Sequence, residues 1–500
     1  MFIDSLYDTA RRHPNRLALI ADNRMWTYRR LADDVERTSR AMWASGLRPG
    51  DRVALHMPNR PELAIACLAG FRLGAIVVPV NNRFKTNEIE ALFERVRPAL
   101  YIGHDSFQSS VLPIAESVLP TDARVIVGSS TWSGRGCHWQ SLFEDDATVA
   151  DIAMPSPDAP ALLLTTSSTT GQPKLVAHSL TSLTETAKRH AHLGIAMGDR
   201  LINFSPLVHA SGICVSLSAY FTASSMIVLE KFDPDAALDA IEGYEGAWVG
   251  GQPFMFAELL ARQRERPRDL SSLRFCISAG DICPAALQQE FPFTMGRPLH
   301  QTWGMTEFMS GPTFGKRSGR VIDIPGDMEI RLVDERGAAV VPGEIGELLV
   351  RCPSLALGYW TAPGRVEPLV QNGWFATGDV MKSVGSDELS FVGRRKFLIV
   401  RNGSNVDPAE VEQALKRHPA IRDAAVFGMP DPITGERVVA VFELSKGKLH
   451  SVIAEVISLA SEHLADYKLP EQMGVVDRIP RNALGEIERK DLPNLLANLS

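Results

Sequence analysis

Five hundred residues are more than one simple core fills, so two or more domains are expected. With 45% apolar and 22% charged residues, the chain has the composition of an ordinary globular protein. A formal net charge of −7 argues against a nucleic-acid binder, which needs a basic surface to neutralise phosphates, while leaving local anion sites open.

The first twenty residues, MFIDSLYDTARRHPNRLALI, carry Asp4, Asp8 and a proline and show no signal-peptide apolar core. DRVALHMPN (51–59) reads as a strand ending in a turn, PELAIACLAGFRLG (61–74) as a buried helix and AIVVPV (75–80) as a further strand. The apolar stretch from Leu63 to Val80 is interrupted by Arg72 and two glycines, so it reads as core rather than a membrane span. RVIVGS (124–129) and SMIVLE (225–230) are continuous apolar strands of the kind covered on both faces. Strands alternating with helices predict an α/β architecture with parallel sheet.

Between about 320 and 392, short alternating strands with Gly/Pro turns predict a small β-barrel or distorted sheet. A new unit is then expected, with its boundary at 393–397. Asp407, Pro408 and Glu410 form a helix start, followed by Val411, Ala414, Leu415 and His418 at helical spacing. Residues 451–464 predict a second amphipathic helix through Ile453, Val456, Ile457, Ala460 and Leu464. The six cysteines form no C-x-x-C pair, so a reduced, cytoplasmic setting is expected and a cysteine metal site is not.

TTSSTTGQPK (165–174) follows an apolar strand and is rich in hydroxyls. Such a loop can wrap phosphate oxygens, with Lys174 adding a point charge. It is not a Walker loop, and alone it reads equally well as a solvated turn. WGMTE (303–307) adds an indole that can stack on a base, a hydroxyl for a phosphate and a carboxylate for Mg2+. GWFATGD (373–379) and GRRK (393–396) add Asp379 for a ribose diol and Arg394. Taken singly, these residues read as core, turn or cap. Taken in order, they make a complete nucleotide site.

With these motifs the chain resembles the AMP-forming adenylating superfamily, which includes acyl-CoA synthetases, firefly-type luciferases and the adenylation domains of peptide synthetases. SSTTGQPKL (167–175), PLVHASG (206–212), WGMTE, GWFATGD, GRRKFLIVRNGSNVDPAEVE (393–412), ADYKLP (465–470) and PRNALGEIERKDL (480–492) carry the resemblance. It implies a large N-terminal domain over 1–394, with two covered sheets and a small β-barrel, and a small mobile α+β C-terminal domain over 395–500. It implies ATP, Mg2+ and coenzyme A as reactants, and two half-reactions: a carboxylate attacks the α-phosphorus of ATP, and then a thiol attacks the acyl-adenylate.

By the same resemblance, Ser167, Ser168, Thr169, Thr170, Gly171 and Lys174 line the polyphosphate loop. Ala279, Gly280 and Asp281, with Trp303, Gly304 and Met305, surround the adenine. Thr306 touches the α-phosphate and Glu307 binds Mg2+. Asp379 and Arg394 hold ribose, and Gly403 belongs to the same nucleotide set. His209 gates the acyl pocket, although a His beside apolar residues also reads as a packed core side chain. Lys396 is the hinge, or simply a solvated lysine.

The chain departs from the family pattern at Ser168 and Leu175, at Trp303, at Phe397 and Val400, and above all at Glu486, where the family places the lysine that bridges substrate and α-phosphate. An ammonium about 4 Å from an anion gains roughly 4 kcal/mol at an effective dielectric near 20, and a carboxylate there loses a similar amount. PLVHASGICVSL lacks the aspartate that amino-acid-activating domains use, and no carrier-protein segment follows position 500. A free-standing acid–CoA ligase is therefore expected, for a medium aliphatic or aryl acid. The rivals are a binding-only pseudoenzyme, an acyl loader for a carrier protein and a luciferase-like oxygenase.

Overall fold

The structure is a computed structural model of the full chain. It describes residues 1–128, 136–143, 155–166, 174–191, 194–280, 283–309, 321–324, 326–385, 388–401, 404–431, 435–445, 449–462, 464, 466–481 and 487–497. The chain divides into two compact units. One comprises Met1–Ser168, Pro173–Glu329 and Arg351–Phe375; the other is chiefly Ile330–Val350 and Ala376–Ser500.

In the first unit, a seven-stranded sheet runs Leu299–Gln301, Phe275–Ser278, Trp248–Gly251, Arg200–Asn203, Ser225–Val228, Leu17–Ala21 and Arg24–Thr27. Its pairs are parallel except the last, which is an antiparallel hairpin. A nine-stranded sheet contains the expected strands Arg52–His56, Ile76–Pro79 and Arg124–Val127 in parallel order. At one side it turns antiparallel through Pro160–Thr166, Lys174–Ser179 and Gly358–Ala362. The sheet is therefore mixed where alternation alone predicted parallel, because the seven residues between Thr166 and Lys174 are too few for the crossover that a parallel pair needs. Helix Pro61–Leu73 is buried almost all round, as its largely apolar sequence, interrupted only by Glu62 and Arg72 among charged residues, requires. Among the described residues, no helix is long and apolar enough to cross a membrane.

In the second unit, strands Glu388–Arg394, Phe375–Ser383, Ile345–Arg351 and Glu329–Val333 lie side by side as the expected distorted sheet. A further sheet follows, centred on the long antiparallel pair Ile421–Asp431 and Gly435–Leu444. Helices Pro408–Leu415 and Leu449–Ser461 cover one of its faces, and Ile479, Leu492 and Leu496 pack on the other. Asp407 caps the first helix by accepting from the Ala409 amide (3.0 Å). Both helices end earlier than their apolar periodicity suggests. His418 lies beyond Leu415, and Leu464 lies beyond Ser461 while still joining the buried cluster. A loop side chain can thus fill the core at helical spacing without being helical.

The segment bearing PRNALGEIERKDL is tied down on both sides. Arg481 and Ile487 form an antiparallel bridge, and the Glu488 amide donates to the Pro480 carbonyl (2.9 Å). Arg489 donates to the buried Glu412 carboxylate (2.5 Å) and to the Val426 carbonyl (2.5 Å).

Three buried histidines make the fold acid-sensitive. Burial pushes His56 down to about 3, and His178 and His190 each to about 4, so all three are neutral at pH 7. In the unfolded chain they take up a proton near pH 6.5. Between those values the unfolded state binds more protons, so stability falls as the pH drops through 6.5. The loss is up to about 2 kcal/mol per residue by pH 5. Urea unfolding of the first unit is expected to show a clearly lower midpoint at pH 5 than at pH 7, and equal midpoints would contradict this assignment.

Candidate active site

The carboxyl ends of two parallel strands in the first unit lead into Ala279 and Gly280 and into Trp303 to Glu307, where open α/β sheets place their ligands. Strand Phe275–Ser278 runs into Ala279 and Gly280, and strand Leu299–Gln301 into Thr302 and Trp303. The Ala279 amide donates to the Gly251 carbonyl and the Thr302 amide to Ser278, both at 2.9 Å. Gly280 sits at φ +84°, a left-handed conformation that a side chain would strain. Trp303 is half-buried and tilts against Phe308, with ring centroids 5.3 Å apart. Gly304 is exposed, and Met305 leads in extended conformation into a single 3₁₀ turn, Thr306–Phe308.

That turn is clamped at four successive carbonyls. Thr306 accepts from His178 Nε2 (2.8 Å), Glu307 from the Ala356 amide (2.8 Å), Phe308 from Ser354 Oγ (3.1 Å) and Met309 from Cys214 Sγ (3.1 Å). The donors come from three separate segments, so the Thr306 hydroxyl and the Glu307 carboxylate are held on a fixed backbone. Because the Thr306 carbonyl can only accept, Nε2 of His178 carries the proton and Nδ1 faces the Ser182 hydroxyl (3.2 Å).

Glu307 is buried, and its Oε1 accepts from the Tyr359 hydroxyl at 2.8 Å. Burial, followed by the adjacent Glu307 charge, raises the Tyr359 phenol well above its ordinary value, so it is a donor at any physiological pH. Lys174 opens strand Lys174–Ser179 opposite Thr166, and its exposed ammonium lies 4.3 Å over the Tyr359 ring. The structure thus brings Lys174 and Glu307 together through a residue that motif spacing did not single out.

His209 caps helix Ala210–Phe221, where a Cβ on Gly212 would meet the Pro206 carbonyl oxygen at 2.3 Å; only glycine lets the PLVHASG turn close. Burial, with a contribution from Arg83, pushes His209 down to about 4, so the imidazole is neutral.

Asp379 and Arg394 lie in the second unit. They are partners on adjacent strands of a hairpin, with Arg394 Nε 3.3 Å from Asp379 Oδ1. Asp379 is buried and its amide donates to Thr377 Oγ1 (3.1 Å). Arg394 is therefore placed to hold the carboxylate. Ser167, Ser168, Thr169, Thr170, Gly171, Asp281, Gly403 and Glu486 lie outside the described residues, as does the side chain of Lys396.

Reading by motif missed His178, Ser354, Cys214 and Tyr359. A histidine inside an otherwise apolar buried strand (KLVAHS) needs a hydrogen-bond partner, and that need was the available signal for His178.

Residues 6–360 match the AMP-binding enzyme family, and residues 410–486 match the AMP-binding enzyme C-terminal domain. The chain is 31% identical to an indoleacetate–CoA ligase of Aromatoleum aromaticum, over 97% of this chain and 96% of that protein. Its fold superposes on a crystal structure of an anthranilate CoA ligase in complex with anthranoyl-AMP (TM-score 0.88, 25% identity, 99% and 97% of the two chains). It also superposes on o-succinylbenzoate coenzyme A synthetase from Bacillus subtilis in complex with ATP and magnesium ion (TM-score 0.86, 28% identity, 98% and 99%). The chain belongs to the AMP-binding enzyme family. Within it, the chain is an AMP-forming acid–thiol ligase.

Proposed function

We propose that this protein joins a carboxylic acid to coenzyme A in two half-reactions. A carboxylate oxygen attacks the α-phosphorus of ATP, pyrophosphate leaves with the bonding electrons, and an acyl-adenylate remains. The thiol sulfur then attacks the acyl carbon, loses its proton, and AMP departs as the thioester forms. The observation that carries this reading is the arrangement of Lys174, Tyr359 and Glu307 beside the clamped Thr306 turn and the Trp303 ring.

In this reading Lys174 faces the β- and γ-phosphates, Thr306 the α-phosphate, and Trp303, with Ala279, Gly280, Asp281, Gly304 and Met305, the adenine. Residues 167–171 wrap the phosphates, and Asp379, steadied by Arg394, takes the ribose diol. Gly403 completes the set. Glu307 fits Mg2+. It is a buried carboxylate with Oε1 engaged, and Mg2+ in nucleotide sites needs one or two carboxylates beyond the phosphates and water. Bound there, the ion would neutralise phosphate charge. The neutral His209 ring closes the acyl pocket, whose walls are His209–Gly212, Gly250–Gln252, Ala279–Gly280 and the turn from Gly304. The domain boundary falls at 394/395, with Lys396 as the hinge, and the enzyme is cytosolic.

Small wall residues and aromatic acids in the names of similar proteins favour an aryl carboxylate over a medium aliphatic one. The test is a panel of aryl, arylacetic and medium-chain acids with Mg-ATP and coenzyme A, scored for AMP and thioester. Aryl acids are expected to give both products. A panel with no product, from this chain or from its Glu486→Lys variant, rejects the reading, and transfer to a carrier protein in preference to coenzyme A redirects it. A second reading, a chain that binds the adenylate without turnover, rests on Glu486 alone, and ordinary pyrophosphate release by the unaltered chain excludes it.

A further inference from the structure

We propose that Tyr359 is a positioning residue that sets the Glu307 carboxylate and the Lys174 ammonium at once, holding the two opposite charges of the nucleotide site apart and aimed at the ligand. This rests on the functional reading above and goes beyond it in naming what orients the two groups. Strand Gly358–Ala362 pairs antiparallel with Lys174–Ser179, with Tyr359 opposite Val176 and Gly358 opposite Ala177. That register fixes the phenol beside the start of the lysine strand. From there the hydroxyl reaches Glu307 Oε1 at 2.8 Å and the ring face lies 4.3 Å from Lys174 Nζ.

A lysine over the ring face and a glutamate at the hydroxyl of one tyrosine are close enough to attract each other, yet among the described residues no ion pair joins them. Each is instead engaged by a different part of the same side chain. A carboxylate that is already hydrogen-bonded through Oε1 presents Oε2 in a defined direction. An ammonium resting on a ring face keeps its three N–H donors for other oxygens. A direct Lys174–Glu307 pair would turn an ammonium donor and a carboxylate oxygen toward each other and away from the ligand. Tyr359 is thus the element that makes both charges available at the same time.

Two variants separate the two parts of this role. Tyr359→Phe keeps the ring under Lys174 and removes the hydroxyl; Tyr359→Leu removes both. Isothermal titration of the full chain with ATP, in Mg2+ and in EDTA, is the measurement, with thermal midpoints checked in parallel. Tyr359→Phe is expected to bind Mg-ATP about tenfold more weakly, as loss of a hydrogen bond to a charged group implies, and to bind metal-free ATP as the parent does. Tyr359→Leu is expected to weaken both. Parent-like Mg-ATP affinity in Tyr359→Phe overturns the proposal, and so does a loss that is equal with and without metal. A parent chain with no magnesium-dependent affinity for ATP sinks the functional reading itself, and the proposal with it, a result distinguishable from either of those. If Tyr359→Leu does not fold, Tyr359→Phe alone decides.

Discussion

Glu486→Lys is expected to raise carboxylate-dependent pyrophosphate release by about a hundred- to thousandfold, the range that one preorganised charged donor contributes at such a centre. The effect is electrostatic. Adenylation brings a carboxylate substrate against the α-phosphate, and charge accumulates on the phosphate oxygens as the pentavalent arrangement forms. A cation at this position attracts both partners, whereas an anion repels both. The swap from carboxylate to ammonium reverses an interaction of roughly 4 kcal/mol at about 4 Å, before screening.

The neighbouring sequence supports a local effect. Arg481 pairs with Asp423 and Arg489 with Glu412, which anchors both flanks of the segment within the second unit, and none of these contacts uses the side chain at 486. A continuous pyrophosphate assay on both proteins, at equal acid and Mg-ATP, reads the ratio. The thioester half-reaction, started from a synthetic acyl-adenylate, provides the control and is expected to change by less than about tenfold, because the bond formed in that step is to the acyl carbon and not to the α-phosphorus. Equal pyrophosphate rates would mean that the glutamate does not stand where the family's lysine does.

Much of this molecule is legible in its sequence, and the parts that are not share a cause. Val53, Val77 and Val125 sit in continuous apolar runs and are buried in the nine-stranded sheet. Asp407 and Pro408 mark a helix start because capping and φ restriction are local effects. The Thr306–Glu307 pair is visible because a short motif carries its own chemistry. What escapes are residues whose meaning is set by a distant partner. Tyr359 in LGYW looks like a strand aromatic until the register puts it 2.8 Å from a carboxylate 52 residues earlier in the chain. Cys214 looks like an ordinary helical cysteine until Met309 offers it a carbonyl. Arg394 shows the same limit from the other side. Its motif marks it as a ribose contact, while the hairpin register makes it first a partner of Asp379. Local physics decides elements and motifs; long-range pairing decides which side chains support them.

Glu307→Gln separates the carboxylate's charge from its place in the fold. Glutamine matches glutamate in shape, and its carbonyl oxygen can still accept from the Tyr359 hydroxyl, so the buried position keeps its hydrogen bond. The backbone of the turn is held by His178, Ala356, Ser354 and Cys214, none of which touches the substituted group. Stability is therefore expected to stay within about 1 kcal/mol of the parent, as for a volume-conserving change. Activity should not. Without the negative charge, a hard divalent cation loses its anionic protein ligand and is left with phosphates and water. Pyrophosphate release is expected to fall by about a hundred- to thousandfold at a fixed Mg2+ concentration. Raising Mg2+ should recover part of that loss, so the half-saturating concentration shifts upward while the thermal midpoint does not move. This pairing of results is what a purely structural role for Glu307 could not produce. A glutamate needed only to satisfy Tyr359 would be replaced by glutamine with little change in rate, and an unchanged Mg2+ dependence would remove the metal from this position altogether.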